Sequence, residues 1–171
     1  MRILITGTPG VGKTAIAKRL GKALGFTAIN EKEFALKEGI GEFDAAENEL
    51  VVPTEKLQQR LNKFLAKNDN VIVEGHLLCE INAKADAVVL LTCEPAERLA
   101  SRLELRGYNE VKIQDNVFCE GIGYCKKHVL RNYPKSKVIE ASGGKDIKET
   151  LYDIVVKLRG VMKKSAKKPK K

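Results

Sequence analysis

No C-x-x-C pair occurs among the four cysteines, Cys79, Cys93, Cys119 and Cys125, and only two histidines, His76 and His128, are present. A structural zinc site needs four closely spaced Cys or His ligands, so the pattern argues against one and reads as four reduced thiols. No run approaches the ~18 apolar residues of a membrane span, and no basic segment leads into a long apolar stretch near the N-terminus. The expectation is a cytoplasmic protein with no membrane partner. Internal repeats are absent, and low complexity is confined to the lysine-rich C-terminal residues.

What is present suits a globular domain: 171 residues, 43% apolar and 31% charged. A chain of that size buries roughly two thirds of its unfolded surface, and one domain is expected over residues 1–162. The formal charge of +9 invites a nucleic-acid reading, but six lysines within residues 163–171 (KKSAKKPKK) contribute most of it. A segment of that composition cannot bury enough apolar surface to order itself and is expected to be a disordered basic tail. It serves either solubility or attraction to RNA, where each lysine near a phosphate adds salt-sensitive affinity.

Short apolar, β-branched runs at 2–6, 71–73, 87–91 and 138–139 read as buried strands. Helical spacing separates them. One helix is expected from a cap at Thr54 to about Lys67, and another from the turn after Pro95 to Arg106. A third, over 111–132, carries Val117, Phe118, Gly121, Ile122, Cys125 and Val129 on one stripe. The last is capped by Asp146 and buries Ile147, Leu151, Ile154, Val155 and Leu158. Strands alternating with helices imply right-handed crossovers and a mainly parallel sheet covered on both faces, an α/β three-layer fold. The polar, acidic stretch 30–49 and the Arg106-Gly107-Tyr108-Asn109 break interrupt the alternation and read as mobile covers.

Gly7-Thr8-Pro9-Gly10-Val11-Gly12-Lys13-Thr14 satisfies G-x-x-x-x-G-K-[ST] after a strand and before a helix, the setting of a phosphate-binding loop, or P-loop. Glycines let backbone N–H groups turn inward around phosphate oxygens, and the helix N-terminus adds partial positive charge. Lys13 offers a point charge to the β and γ phosphates, and the Thr14 hydroxyl is a hard ligand for Mg²⁺. Glu74 ends the 71–73 strand, where a second carboxylate commonly reaches the metal through water, or it is simply the first solvated residue after that strand. His76 is as readily a structural histidine as a catalytic one. Arg98, Arg102 and Arg106 fall at i, i+4 and i+8 and form either a phosphate clamp or a solvated face balanced by Glu94, Glu97 and Glu104.

With GTPGVGKT (7–14), VIVEGH (71–76) and RLELRGYNEVKIQDNVFCE (102–120), the chain resembles the small adenylate kinase-like family that includes the human coilin-interacting nuclear ATPase and its yeast and archaeal relatives. The resemblance spans about residues 2–160. It implies a P-loop NTPase fold of the nucleoside monophosphate kinase kind with a short lid, and transfer of the ATP γ-phosphate to AMP alongside ATP hydrolysis. ATP contacts carried over are Gly10, Gly12, Lys13, Thr14 and Ala15, with Arg106 in the lid and Lys145 (SGGK) beside the adenine. Mg²⁺ would sit on Thr14 and, through water, on Glu74, where eukaryotic members have aspartate. An acceptor-binding segment would run over about 30–51 and the lid over about 105–115. Leu36 stands where the family has an arginine for the AMP phosphate, with Lys32 and Lys37 close by. The family is also linked to small-subunit ribosome maturation through a platform ribosomal protein, which gives the basic tail a possible rRNA partner.

Transfer to a phosphate that is already anionic needs alignment and charge neutralisation more than a strong base. The residues bet on are Lys13, Arg102, Arg106, Glu74 and His76. Three rivals share the ATP half: a kinase of another small metabolite, an ATP-driven ribosome assembly factor with little kinase activity and, least favoured, a nucleic-acid-binding protein.

Overall fold

The computed structural model describes residues 1–45, 49–143 and 146–166. β1 (Arg2–Thr6) leads into α1 (Lys13–Leu24). There follow β2 (Thr27–Asn30), α2 (Glu31–Lys37), and a hairpin of β3 (Glu42–Asp44) and β4 (Glu49–Val51). α3 (Thr54–Lys67), β5 (Val71–Glu74) and β6 (Ala87–Thr92) come next. Then come α4 (Arg98–Glu104), α5 (Glu110–Gly121), α6 (Tyr124–Asn132), β7 (Val138–Ser142) and α7 (Ile147–Ala166).

Among the described residues, five strands pair wholly in parallel in the order β2-β5-β1-β6-β7, and β3-β4 form a separate antiparallel pair. Alternate residues of the central strands face opposite ways, and both sets are buried. Leu4, Val73, Val88 and Leu90 pack with Leu57, Leu61 and Leu65 of α3 and with Val129 of α6. Ile3, Ile5, Ile72 and Val89 pack on the other face with Ile16 and Leu20 of α1, Leu99 and Leu103 of α4, and Ile154 and Leu158 of α7. Apolar runs without polar alternation in β1, β5 and β6 therefore follow from burial on two faces. No helix among the described residues is long and apolar enough to cross a membrane.

The four strands expected from the sequence are present, while β2 and the β3-β4 hairpin are additional. β2 is a sheet-edge strand of half-exposed and exposed residues, so its sequence lacks a burial signature. α3 begins at Thr54 with Pro53, not Thr54, at the cap position. The helix expected after Pro95 starts at Arg98, because Arg98, Leu99 and Ala100 each bond three residues back in a tighter turn. The single helix expected over 111–132 is two helices, broken where Gly123 takes φ 65°. That left-handed residue rotates the stripe: Cys125 and Val129 are buried, whereas Phe118 is 66% and Ile122 40% exposed. At the C-terminal end, α7 continues through Ala166, four residues into the expected tail, and residues 167–171 lie outside the described residues.

Candidate active site

The loop between β1 and α1 crosses the C-terminal edge of the sheet, where parallel α/β proteins bind ligands. Gly7 has φ 144°, and a Cβ there would collide with the Leu91 carbonyl oxygen of β6. Only glycine lets the chain leave β1 this close to its neighbour. Gly12 caps α1 in a left-handed conformation, φ 103°, so the unpaired N–H groups of the first helical turn open toward the loop.

Lys13 reaches back across this loop, its Nζ donating to the carbonyls of Gly7 at 2.8 Å and Thr8 at 3.0 Å. Burial pushes the Lys13 ammonium below its ordinary value, and the charges of Glu31 and Glu74 oppose that shift. Thr14 Oγ1 donates to Glu74 Oε1 at 2.8 Å, and Asn30 Nδ2 donates to the same oxygen at 2.7 Å. Parallel pairing sets Asn30 beside Glu74 in register. Glu74 is only 3% exposed, so it is not the first solvated residue after a buried strand; it is a buried carboxylate held by two donors. These groups fit Mg²⁺ with a nucleotide: a hydroxyl and a carboxylate of hard oxygen character, one ammonium, and open backbone N–H groups.

His76 sits two residues beyond β5 with its Nδ1 3.0 Å from Glu31 Oε1 and its side chain 38% exposed. Sequence reasoning did not single out Glu31. The available signal was Asn30 capping a helix whose first turn is acidic, since Asn30 Oδ1 accepts from the N–H groups of Lys32 and Glu33. Glu120 of α5 was missed too: its two carboxylate oxygens accept from Thr8 Oγ1 and from the Cys93 N–H, bolting the loop to the end of β6.

The arginine row is only partly realised. α4 ends at Glu104, so Arg106 lies beyond it, and Arg98 is an exposed residue. Arg102 Nη1 donates to the Gly143 carbonyl at 2.9 Å. Arg102 and Arg106 nevertheless share a cavity of about 380 Å³ with Gly10, Gly12, Gly143 and Thr150, directly alongside the loop. Ala15 is exposed on the first turn of α1, and Lys145 lies outside the described residues. A larger cavity of about 810 Å³ opens on the 30–51 segment, walled by Gly39–Asp44 and by Lys56, Gln59 and Arg60 of α3. Leu36 is 66% exposed and is not part of its wall.

The chain matches the AAA domain family over residues 3–123. It is 36% identical over 165 residues to a Thermococcus kodakarensis protein named "Putative adenylate kinase", covering 96% of this chain and 89% of the relative. It is 35% identical over 141 residues to the Caenorhabditis elegans protein named "Adenylate kinase isoenzyme 6 homolog", covering 81% of this chain and 77% of that one. Among solved structures it resembles a gluconokinase from Sinorhizobium meliloti, with TM-score 0.64 at 16% identity over 96% of this chain and 95% of that one, a likeness of fold. With the loop, the buried Glu74 carboxylate and the parallel sheet in place, the chain belongs to the P-loop kinases of the AAA domain family that include these adenylate kinase homologues.

Proposed function

We propose that the protein is an ATP:AMP phosphotransferase that also hydrolyses ATP slowly when no acceptor is bound. The observation that carries the reading is the Thr14–Glu74 hydrogen bond beside Lys13, at the mouth of the loop, with one cavity lined by the loop and Arg102 and another by the 39–44 segment and α3. The loop N–H groups and Lys13 hold the donor's β and γ phosphates, and Lys13 exchanges its two carbonyl partners for phosphate oxygens. Thr14 and Glu74 would hold Mg²⁺, which would supply charge neutralisation on those oxygens when bound. Arg102 and Arg106 line the cavity alongside the loop, which suits the rest of the donor nucleotide, and as the 105–115 lid closes Arg106 meets the charge developing on the transferring group. His76 contributes from the acceptor side.

The acceptor nucleotide takes the larger cavity. In place of the family arginine that Leu36 replaces, Lys56 and Arg60, one turn apart on α3, provide the cationic wall for its phosphate. Arg60 is held only loosely, its Nη1 3.9 Å from Glu38 Oε2, and is free to turn toward an anion.

The deciding experiment measures ADP formation from ATP with a panel of nucleoside monophosphates, beside hydrolysis without acceptor. AMP-dependent ADP production well above the hydrolysis rate supports the reading. Equal rates with and without every acceptor would sink it. The six lysines within 163–171 favour a second role in small-subunit ribosome maturation, in which ATP hydrolysis follows engagement of a ribosomal protein or rRNA. That role requires ATPase activity that rises with the partner and loses the rise when 163–171 are removed.

A further inference from the structure

Glu31 opens α2 directly beyond β2, yet its side chain turns inward and is 2% exposed. Oε1 accepts from the N–H groups of His76 at 2.9 Å and Leu77 at 3.1 Å, and lies 3.0 Å from His76 Nδ1. Oε2 is buried with no hydrogen-bond partner among the described residues. The close approach depends on Gly75, where a Cβ would collide with the Glu31 carboxyl group. Taking a carboxylate out of water remains costly even after relaxation, and that cost is excessive for pinning one short turn. The same cost is reasonable for fixing a reactive side chain, as carboxylates do for histidines at metal and catalytic sites.

Asn30, one residue earlier, holds Glu74 through Nδ2. Two consecutive residues at the junction of β2 and α2 therefore grip the two chemistry-bearing side chains at and just beyond the end of β5. The geometry points to Glu31 as a positioning residue for phosphoryl transfer: it receives the Nδ1–H of His76, fixes that tautomer and ring orientation, and leaves Nε2 as the open hydrogen-bond acceptor. This rests on the proposed kinase reading, in which His76 faces the substrates.

The test combines ring-nitrogen NMR of His76 with kinetics of Glu31→Ala, Glu31→Gln and His76→Ala, in the full-length protein near pH ~8.5, above the ordinary imidazole range. Wild type is expected to show the proton on Nδ1. Glu31→Ala is expected to lose that tautomer and to lower kcat roughly 10- to 100-fold while KM for ATP stays within about twofold, as His76→Ala does. Glu31→Gln keeps an amide oxygen for Nδ1–H and should retain the tautomer and recover most of kcat. A wild-type His76 protonated on Nε2 overturns the proposal whatever the variants do, including where Glu31→Ala does not fold. So does a Glu31→Ala enzyme with unchanged kcat per folded molecule. If His76→Ala alone keeps full kcat while the tautomer matches expectation, the kinase role of His76 falls, and the positioning role falls with it; AMP-dependent transfer by wild type then shows whether the kinase reading itself survives.

Discussion

Thr14 and Glu74, sixty positions apart, meet in a 2.8 Å hydrogen bond between the first turn of α1 and the end of β5. A hydroxyl donating to a buried carboxylate at the mouth of a phosphate loop is a pair of hard oxygen groups that would suit a divalent cation. Thr14→Ala and Glu74→Gln should therefore both weaken the Mg²⁺-dependent part of ATP binding and leave the Mg²⁺-free part nearly intact. Calorimetric titrations of ATP with and without Mg²⁺ read this directly. An unchanged Mg²⁺ effect in both variants would count against the assignment.

In the proposed donor site Lys13 is the charge that faces the phosphates. Lys13→Ala is expected to lower phosphoryl transfer about 10²- to 10³-fold, the scale of losing one preorganised donor to a developing charge. Folding should be retained, because the ammonium's partners are two loop carbonyls that water can satisfy. Burial holds its pKa below the ordinary 10.5, so the ammonium loses its proton earlier than a free lysine as pH rises. ATP affinity should accordingly fall on the alkaline side below pH 10.5, whereas Lys13→Arg should show no such fall even though its binding at neutral pH is weaker.

Asp86 gives stability a pH dependence independent of the site. Burial raises its pKa, but the side-chain and backbone hydrogen bonds from Arg2 and the Arg2 charge outweigh that and hold it below the ordinary 3.8. A carboxylate depressed in the folded state stabilises above its unfolded pKa, and that contribution disappears as pH falls through the folded value. Asp86→Asn should lower the melting temperature by a few degrees at pH 7 and by much less near pH 2. Thermal melts at the two pH values decide it, and an equal loss at both would contradict the account.

Cys79 Sγ donates to Cys125 Sγ at 3.4 Å inside the core, and Cys93 is also buried, whereas Cys119 is only half-buried on α5. Accepting that bond holds the Cys125 thiol down, while donating it and burial push Cys79 up. In the native protein a soluble alkylating reagent should modify Cys119 first, with the other three protected until unfolding. Peptide mass mapping over time tests this, and early labelling of Cys79 or Cys93 would contradict the packing.

The loop, the strand before it and the helix after it were legible because each is written in neighbouring residues: glycines at 7, 10 and 12, an apolar run, a helical period. Glu74 and His76 were legible only as candidates. Arg98 matched the helical spacing of Arg102 and Arg106 but is exposed and does not share their cavity, whereas Arg106 does share it although it lies beyond the end of α4, since spacing says nothing of where a helix stops. The stripe drawn through 117–129 failed at Gly123, where one left-handed residue rotates everything after it. β2 escaped notice because an edge strand need not be apolar.

The sequence alone determined that a glycine-rich loop of P-loop pattern would join a buried strand to a helix at Gly7 to Thr14 and that β1, β5 and β6 would be buried on both faces, because neighbouring residues and side-chain period encode both. Only the tertiary structure decided that Glu31 would meet His76, that Glu120 would hold Thr8, and that Thr14 would meet Glu74. Those partners lie 45, 112 and 60 positions apart, and no local period carries information about them. They are brought together by strand register and by helices packing across the sheet, and the buried carboxylates are tolerable only because that packing delivers their donors.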